Sequence, residues 1–214
     1  STSGNTVFKI DGDSGDILES IDVPLGCAYG GAMDGSGGFW IYDSSGQSIY
    51  RIDTEILHFD NHSVPCGYGI SVDSQGRVWT GGWGSGEYSC VNRYDPITDE
   101  NVYVNVPGAS FLRGIAVGMG ASAGYVWAAD TGGSLVKIDK ETVQVAGMFT
   151  IGGMDMIGVA IDFEGNVWTV AQISNSAYKF DPDAETYQAV PIGTNPYTYS
   201  DMTGAQLKNV IDPE

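Results

Sequence analysis

The chain has 214 residues, and 27 acidic against 9 basic side chains give a formal net charge of −18. That balance argues against nucleic acid and anionic membranes as partners, because both are held through clustered Lys and Arg. A hydrophobic content of 42% excludes disorder, 31 glycines with only 17% charged residues suit short strands and tight turns, and no apolar run reaches the ~18 residues of a membrane-spanning helix.

Length and composition suit one domain over residues 1–214. The chain opens at Ser1 with neither methionine nor signal peptide, which reads as a trimmed mature form or an excised piece of a longer protein.

In chain order the first element is a short strand, Phe8-Lys9-Ile10-Asp11. It returns as Tyr50-Arg51-Ile52-Asp53, Asn92-Arg93-Tyr94-Asp95, Val136-Lys137-Ile138-Asp139 and Tyr178-Lys179-Phe180-Asp181. The closing aspartates step by 42, 42, 44 and 42 residues. A period above 40 with strand chemistry predicts propeller blades.

An outer strand follows each Asp turn, predicted over Ile56 to Phe59, Val102 to Val104, Val143 to Val145 and Thr186 to Val190. Next comes a Gly-rich apolar strand, loosely at Gly30 to Asp34 and clearly at Gly69-Ile70-Ser71-Val72-Asp73, Gly114-Ile115-Ala116-Val117-Gly118 and Gly158-Val159-Ala160-Ile161-Asp162. Its small residues suit the crowded innermost position around a central axis. A tight turn then leads to a strand centred on Trp40, Trp79, Trp127 or Trp168, whose fixed place in the repeat marks core.

The tail repeats the first half of this unit. Tyr197 to Asp201 matches the Gly-rich strand and Ala205 to Val210 the Trp strand, with Leu207 at the Trp position. The expected fold is therefore all-β: a propeller of four-stranded antiparallel blades, five in number, closed by pairing N-terminal and C-terminal strands in one split blade. Closure removes exposed sheet edges and predicts a monomer. A fragment of a larger propeller would begin and end in the same way.

With Gly-Ile-x-Val-Asp, then Gly165-Asn166-Val167-Trp168 and a Lys-Ile-Asp strand, the repeat resembles the NHL and streptogramin-lyase-like (virginiamycin B lyase-like) propellers over nearly the whole chain. The resemblance implies the fold; such repeats serve enzymes, ligand sensors and protein-binding scaffolds alike. In the lyases it implies a metal, with His just before the first-strand glycine and Glu after the Trp strand. Here those places hold Tyr29, Tyr68, Arg113, Ile157 and Pro196, and Asp43, Gly82, Asp130 and Ala171.

Loops entering the Gly-rich strands share one face, which gathers Tyr29, Tyr68, Phe111, Arg113, Met154, Met156 and Tyr197. With Trp83, from the Gly-rich segment 81–86, they form the expected binding surface for a small organic ligand or a peptide end, although the same residues would also plug a narrow channel.

Asp11, Asp13 and Asp16 are a possible calcium loop, although Gly15 and Asp16 break the EF-hand spacing and an acidic hairpin turn is the alternative. No cofactor is required. His58 and His62 carry no catalytic pattern. Cys66 and Cys90 are expected to join two loops of one blade, with Cys27 free; three reduced thiols are the alternative. These readings converge on a secreted, periplasmic or cell-surface binding scaffold, with a metal-dependent lyase-like or hydrolytic site built from Asp43, Asp130, Tyr68 and Arg113 as the rival.

Overall fold

The computed structural model describes residues 5–84, 89–199, 202, 204 and 205. Strands β1 (Thr6–Ile10) and β2 (Ile17–Asp22) pair as a two-stranded half-blade. The first complete blade is β3 (Ala28–Met33), β4 (Gly38–Asp43), β5 (Ser48–Asp53) and β6 (Phe59–Ser63). The second is β7 (Cys66–Val72), β8 (Val78–Gly84), β9 (Ser89–Asp95) and β10 (Glu100–Asn105). The third is β11 (Leu112–Val117), β12 (Tyr125–Asp130), β13 (Ser134–Asp139) and β14 (Val145–Thr150). The fourth is β15 (Met156–Ile161), β16 (Val167–Ala171), β17 (Ser176–Asp181) and β18 (Thr186–Pro191).

Each blade is an antiparallel meander, and the apolar core lies between successive blades. This is a five-bladed propeller. Its fifth blade is described by β1, β2 and an innermost segment over 197–199. That segment touches both neighbours: Thr198 Oγ1 accepts the Gly158 amide at 3.2 Å on β15, and the Tyr197 hydroxyl lies 3.3 Å from that of Tyr29 on β3. The expected second strand of that blade, with Leu207, lies outside the described residues.

Glycine in the innermost strands answers to close approach. A Cβ on Gly69 would sit 2.6 Å from the Arg113 carbonyl oxygen of the adjoining strand, too near for any side chain.

The turn after each third strand is one motif used five times. The carboxylates of Asp11, Asp53, Asp95, Asp139 and Asp181 each accept the amides two and three residues on. The fifth turn residue takes a left-handed conformation in every copy: Gly15, Leu57, Asp99, Val143 and Glu185 have φ of 77°, 49°, 58°, 54° and 51°. Two outer strands consequently start later than their sequence suggests, β6 at Phe59 and β14 at Val145.

A second motif locks the inner turn to the tryptophan. Asp34 accepts the amides of Ser36 and Gly38 and the indole N–H of Trp40, at 2.7–2.8 Å. Asp73 does the same for Gln75, Arg77 and Trp79, and Asp162 for Glu164, Asn166 and Trp168. A third-strand cation lies directly across from each indole: Arg51 on Trp40, Arg93 on Trp79, Lys137 on Trp127 and Lys179 on Trp168, 5.6–6.0 Å from the ring centroid. Trp40, Trp79 and Trp127 are fully buried and Trp168 is half-buried.

The third blade departs from this pattern. Gly118 stands where the others have Asp, and any Cβ there would collide with the Ser122 carbonyl, in a 3-10 turn over Gly120–Ser122. The buried Trp127 Nε1 therefore has no hydrogen-bond partner among the described residues. The inserted turn docks instead on the next blade, where the Ser122 hydroxyl donates to the Gly165 carbonyl.

These carboxylates also set the acid limit of the fold. Burial by itself would raise the Asp34 and Asp162 carboxyls, but the indole and amide hydrogen bonds outweigh it and hold both below the ordinary Asp value. A depressed native pKa contributes stability that is present above the unfolded value, near ~3.9, and is lost as pH falls through the native value. Thermal melts across pH are expected to be flat from about 7 to about 5 and to fall steeply below about 4. A midpoint unchanged on acidification through that range would contradict the role given to these aspartates.

Candidate functional site

The antiparallel meander places the starts of β3, β7, β11 and β15 on one face, together with the ends of the Trp strands. Tyr29, Tyr68, Arg113 and Tyr197, carried there by four different blades, meet around the channel mouth. The Tyr29 and Tyr68 hydroxyls share a hydrogen bond, and their ring centroids lie 4.4 Å apart. Tyr197 joins through Tyr29, and Tyr199 stands edge-on to Tyr197 at 5.3 Å. Arg113 lies over Tyr68 at 5.7 Å and over Phe111 at 5.5 Å, and its Nη2 reaches Asp155 Oδ1 at 3.4 Å. Its Nε is buried without a partner among the described residues. Trp83 extends the belt beyond Phe111, with ring centroids 5.1 Å apart.

Trp83 is not in a loop. Its strand runs on through Gly84, pairing Trp83 with Gly67 on one side and Ser89 on the other, so the indole is held at the rim while 62% exposed. Cys66 and Cys90 are joined by a disulfide with a Cα–Cα distance of 6.0 Å, which ties β7 to β9 beside this rim, and Cys27 is a free, exposed thiol. Met154 is exposed at the mouth, whereas Met156 is fully buried in the core and leaves the expected surface. Asp155 and Tyr199 were not singled out from sequence. Asp155 sits between those two methionines with φ of 59°, and an acidic residue just before an innermost strand was the available signal.

Burial, followed by the hydrogen bonds to Tyr197 and Tyr68, pushes the Tyr29 hydroxyl far above its ordinary value, and burial is the leading cause of the upward shift at Tyr68. Both are neutral at physiological pH, so the mouth offers neutral hydroxyls, aromatic faces and one guanidinium paired with one carboxylate.

Asp43 and Asp130, expected on the enzymatic reading to supply carboxylates here, are committed elsewhere. Asp43 accepts the amides of Gly26, Cys27 and Ser45, and Asp130 those of Ser110 and Phe111. Both are about 2–3% exposed and shape the loops that enter the innermost strands. Asp11, Asp13 and Asp16, considered for calcium, belong to the repeated hairpin turn, where the Asp11 carboxylate takes the Asp13 and Ser14 amides and Asp16 takes the Ser14 hydroxyl. Among the described residues no three His, Cys, Asp or Glu side chains are grouped to hold a metal.

No family model matches the chain, and no curated protein matches it in sequence. Solved structures do. A streptogramin B lyase structure superposes with a TM-score of 0.78 at 16% identity, over 94% of this chain and 66% of that one. A catalytically inactive virginiamycin B lyase from Staphylococcus aureus with quinupristin gives 0.77 at 17%, over 94% and 67%. A functionally unknown protein from Desulfotomaculum acetoxidans gives 0.74 at 14%, over 90% and 64%. The chain spans about two thirds of the length of these structures, and at such identities the likeness concerns architecture: the chain has a streptogramin-lyase-like propeller fold.

Proposed function

We propose that the propeller is a binding module that takes a small organic ligand or a peptide end at the channel mouth. The observation that carries this reading is the continuous belt Trp83, Phe111, Arg113, Tyr68, Tyr29 and Tyr197, with Arg113 the only cation on it among the described residues. Aromatic faces supply apolar contact at low entropic expense, and the Arg113 guanidinium, 22% exposed beside Asp155, suits a carboxylate. The preferred ligand therefore carries an aromatic ring and a carboxylate. The Cys66–Cys90 bridge supports a secreted, periplasmic or cell-surface location.

The test is a titration with acetyl-Gly-Phe carrying a free C-terminal carboxylate, followed through the fluorescence of Trp83. Trp83→Phe identifies its share of the signal. A saturable change is expected in the native chain, and Arg113→Gln should weaken it by about tenfold, the worth of one charge-assisted hydrogen bond at ~1.4 kcal/mol. A signal linear in ligand, or one that Arg113→Gln leaves intact, would count against the mouth as the site.

A further inference from the structure

On the face opposite the mouth, the third-strand cation of one blade faces the hairpin turn of the next, so the junctions can be compared as internal repeats. Between the half-blade and the first complete blade, Lys9 Nζ donates to the Thr54 carbonyl at 2.9 Å. Between the second and third, Arg93 Nη1 donates to the Lys140 and Glu141 carbonyls, each at 3.0 Å. There Arg77 adds a two-pronged grip on the Glu141 carboxylate, at 3.3 and 3.2 Å. Thr54 and Lys140 each follow their turn aspartate by one residue, so the bonds from Lys9 and Arg93 are equivalent.

Between the first and second blades this clamp is missing, and the cation turns back on its own blade as Lys179 does toward Asp162 and Glu164 in the fourth. The residues in corresponding positions are Arg51 for Arg93, Gly38 for Arg77 and Ile97 for Glu141. Gly38 has no side chain to send across. Arg51 turns back on its own blade, with Nε 3.3 Å from Asp34 Oδ2 and Nη2 3.3 Å from the Ser36 hydroxyl, and its Nη1 has no hydrogen-bond partner among the described residues. A cleft of about 550 Å³ opens in its place, walled by Arg51, Asp60 and His62 on one side and by Tyr94, Pro96 and Ile97 on the other.

The wall is chemically organised. The Tyr94 hydroxyl donates to Asp99 Oδ1 at 2.9 Å and lies 2.7 Å from His62 Nδ1. Its single proton is thus used and Nδ1 becomes the donor to it, with Asp99 Oδ1 a second acceptor at 3.2 Å, and Nε2 is left without a part in this network. The cleft therefore presents a guanidinium edge, the His62 imidazole and the Asp60 carboxylate, on a chain of net charge −18.

We propose that this inter-blade cleft binds an extended basic peptide segment. A main-chain carbonyl of the peptide takes the place on Arg51 that Thr54 fills on Lys9 and Lys140 fills on Arg93, and a peptide Lys meets Asp60 beside His62. The overall acidity attracts such a segment and repels acidic ones.

The experiment is an NMR titration of the full chain with acetyl-Gly-Lys-Gly-amide, reading the imidazole signals. The sequence contains only two histidines, so a His58→Gln variant assigns those of His62. The expected result is a saturable shift at His62, with acetyl-Gly-Glu-Gly-amide binding about tenfold more weakly. The double variant Gly38→Arg/Ile97→Glu, whose new arginine displaces Arg51 because a Cβ on Gly38 would lie 2.6 Å from its Nε, fills the cleft and should abolish the shift. Should it fail to fold, Ile97→Trp, at a turn position 86% exposed, closes the cleft instead. Non-saturating shifts, equal binding of the acidic peptide, or binding that survives the filled cleft would overturn the proposal.

Discussion

Replacing Asp73 by alanine is expected to destabilise the propeller by about 3–5 kcal/mol, because it breaks a buried ion pair and strips a buried indole of its acceptor in one step. The Asp73 carboxylate takes Arg77 Nε at 2.7 Å, Trp79 Nε1 at 3.0 Å and two turn amides, and both Asp73 and Arg77 are buried. For a chain of this length such a loss lowers Tm by roughly 10 °C or more. The third blade is the internal control. Trp127 has no partner for its indole N–H among the described residues, so Trp127→Phe removes an unsatisfied donor and should be milder than Trp79→Phe by about 1 kcal/mol, although both rings are fully buried. Calorimetry on the three variants decides the matter, and equal losses at Trp79 and Trp127 would mean that the carboxylate adds nothing to ring burial.

Removal of the Cys66–Cys90 bridge should have a comparable effect. The two cysteines are 24 residues apart, and freeing a loop of that size returns about 3–4 kcal/mol of chain entropy to the unfolded state. Cys66→Ala/Cys90→Ala is expected to unfold at correspondingly lower denaturant with the slope unchanged or slightly larger, since only the unfolded ensemble gains freedom. The bridge also ties down the rim that carries Trp83, so the variant should lose ligand binding at the mouth below its melting point. Denaturant titrations of the native and double-alanine chains check the first expectation; a shift under about 1 kcal/mol would show that native packing holds the rim without the bond.

Much of the architecture was legible in the chain itself. The stepping Asp, the Trp strands and the Gly-rich strands each recur because every blade solves the same local problem: a hairpin turn needs an acceptor two residues back, and an innermost strand needs room for its neighbour's backbone. Outer-strand boundaries were misread where the left-handed residue was Leu57 or Val143, since nothing in those side chains announces positive φ. Asp43 and Asp130 looked like site carboxylates because they fall at the end of the Trp strand, yet both are occupied by main-chain amides.

Repetition by itself determined the blade count, the order of strands within a blade and the face on which Tyr29, Tyr68, Arg113 and Tyr197 collect, because period and alternation are properties of neighbours along the chain. Only the tertiary structure decided what one blade does to the next. Arg113 meets Asp155 and Arg77 meets Glu141 across 42 and 64 positions of chain, while Arg51 turns back to Asp34 on its own blade and leaves a cleft. Side chains of that reach adopt whichever partner the packed interface brings within a few ångströms, and sequence spacing carries no record of that choice.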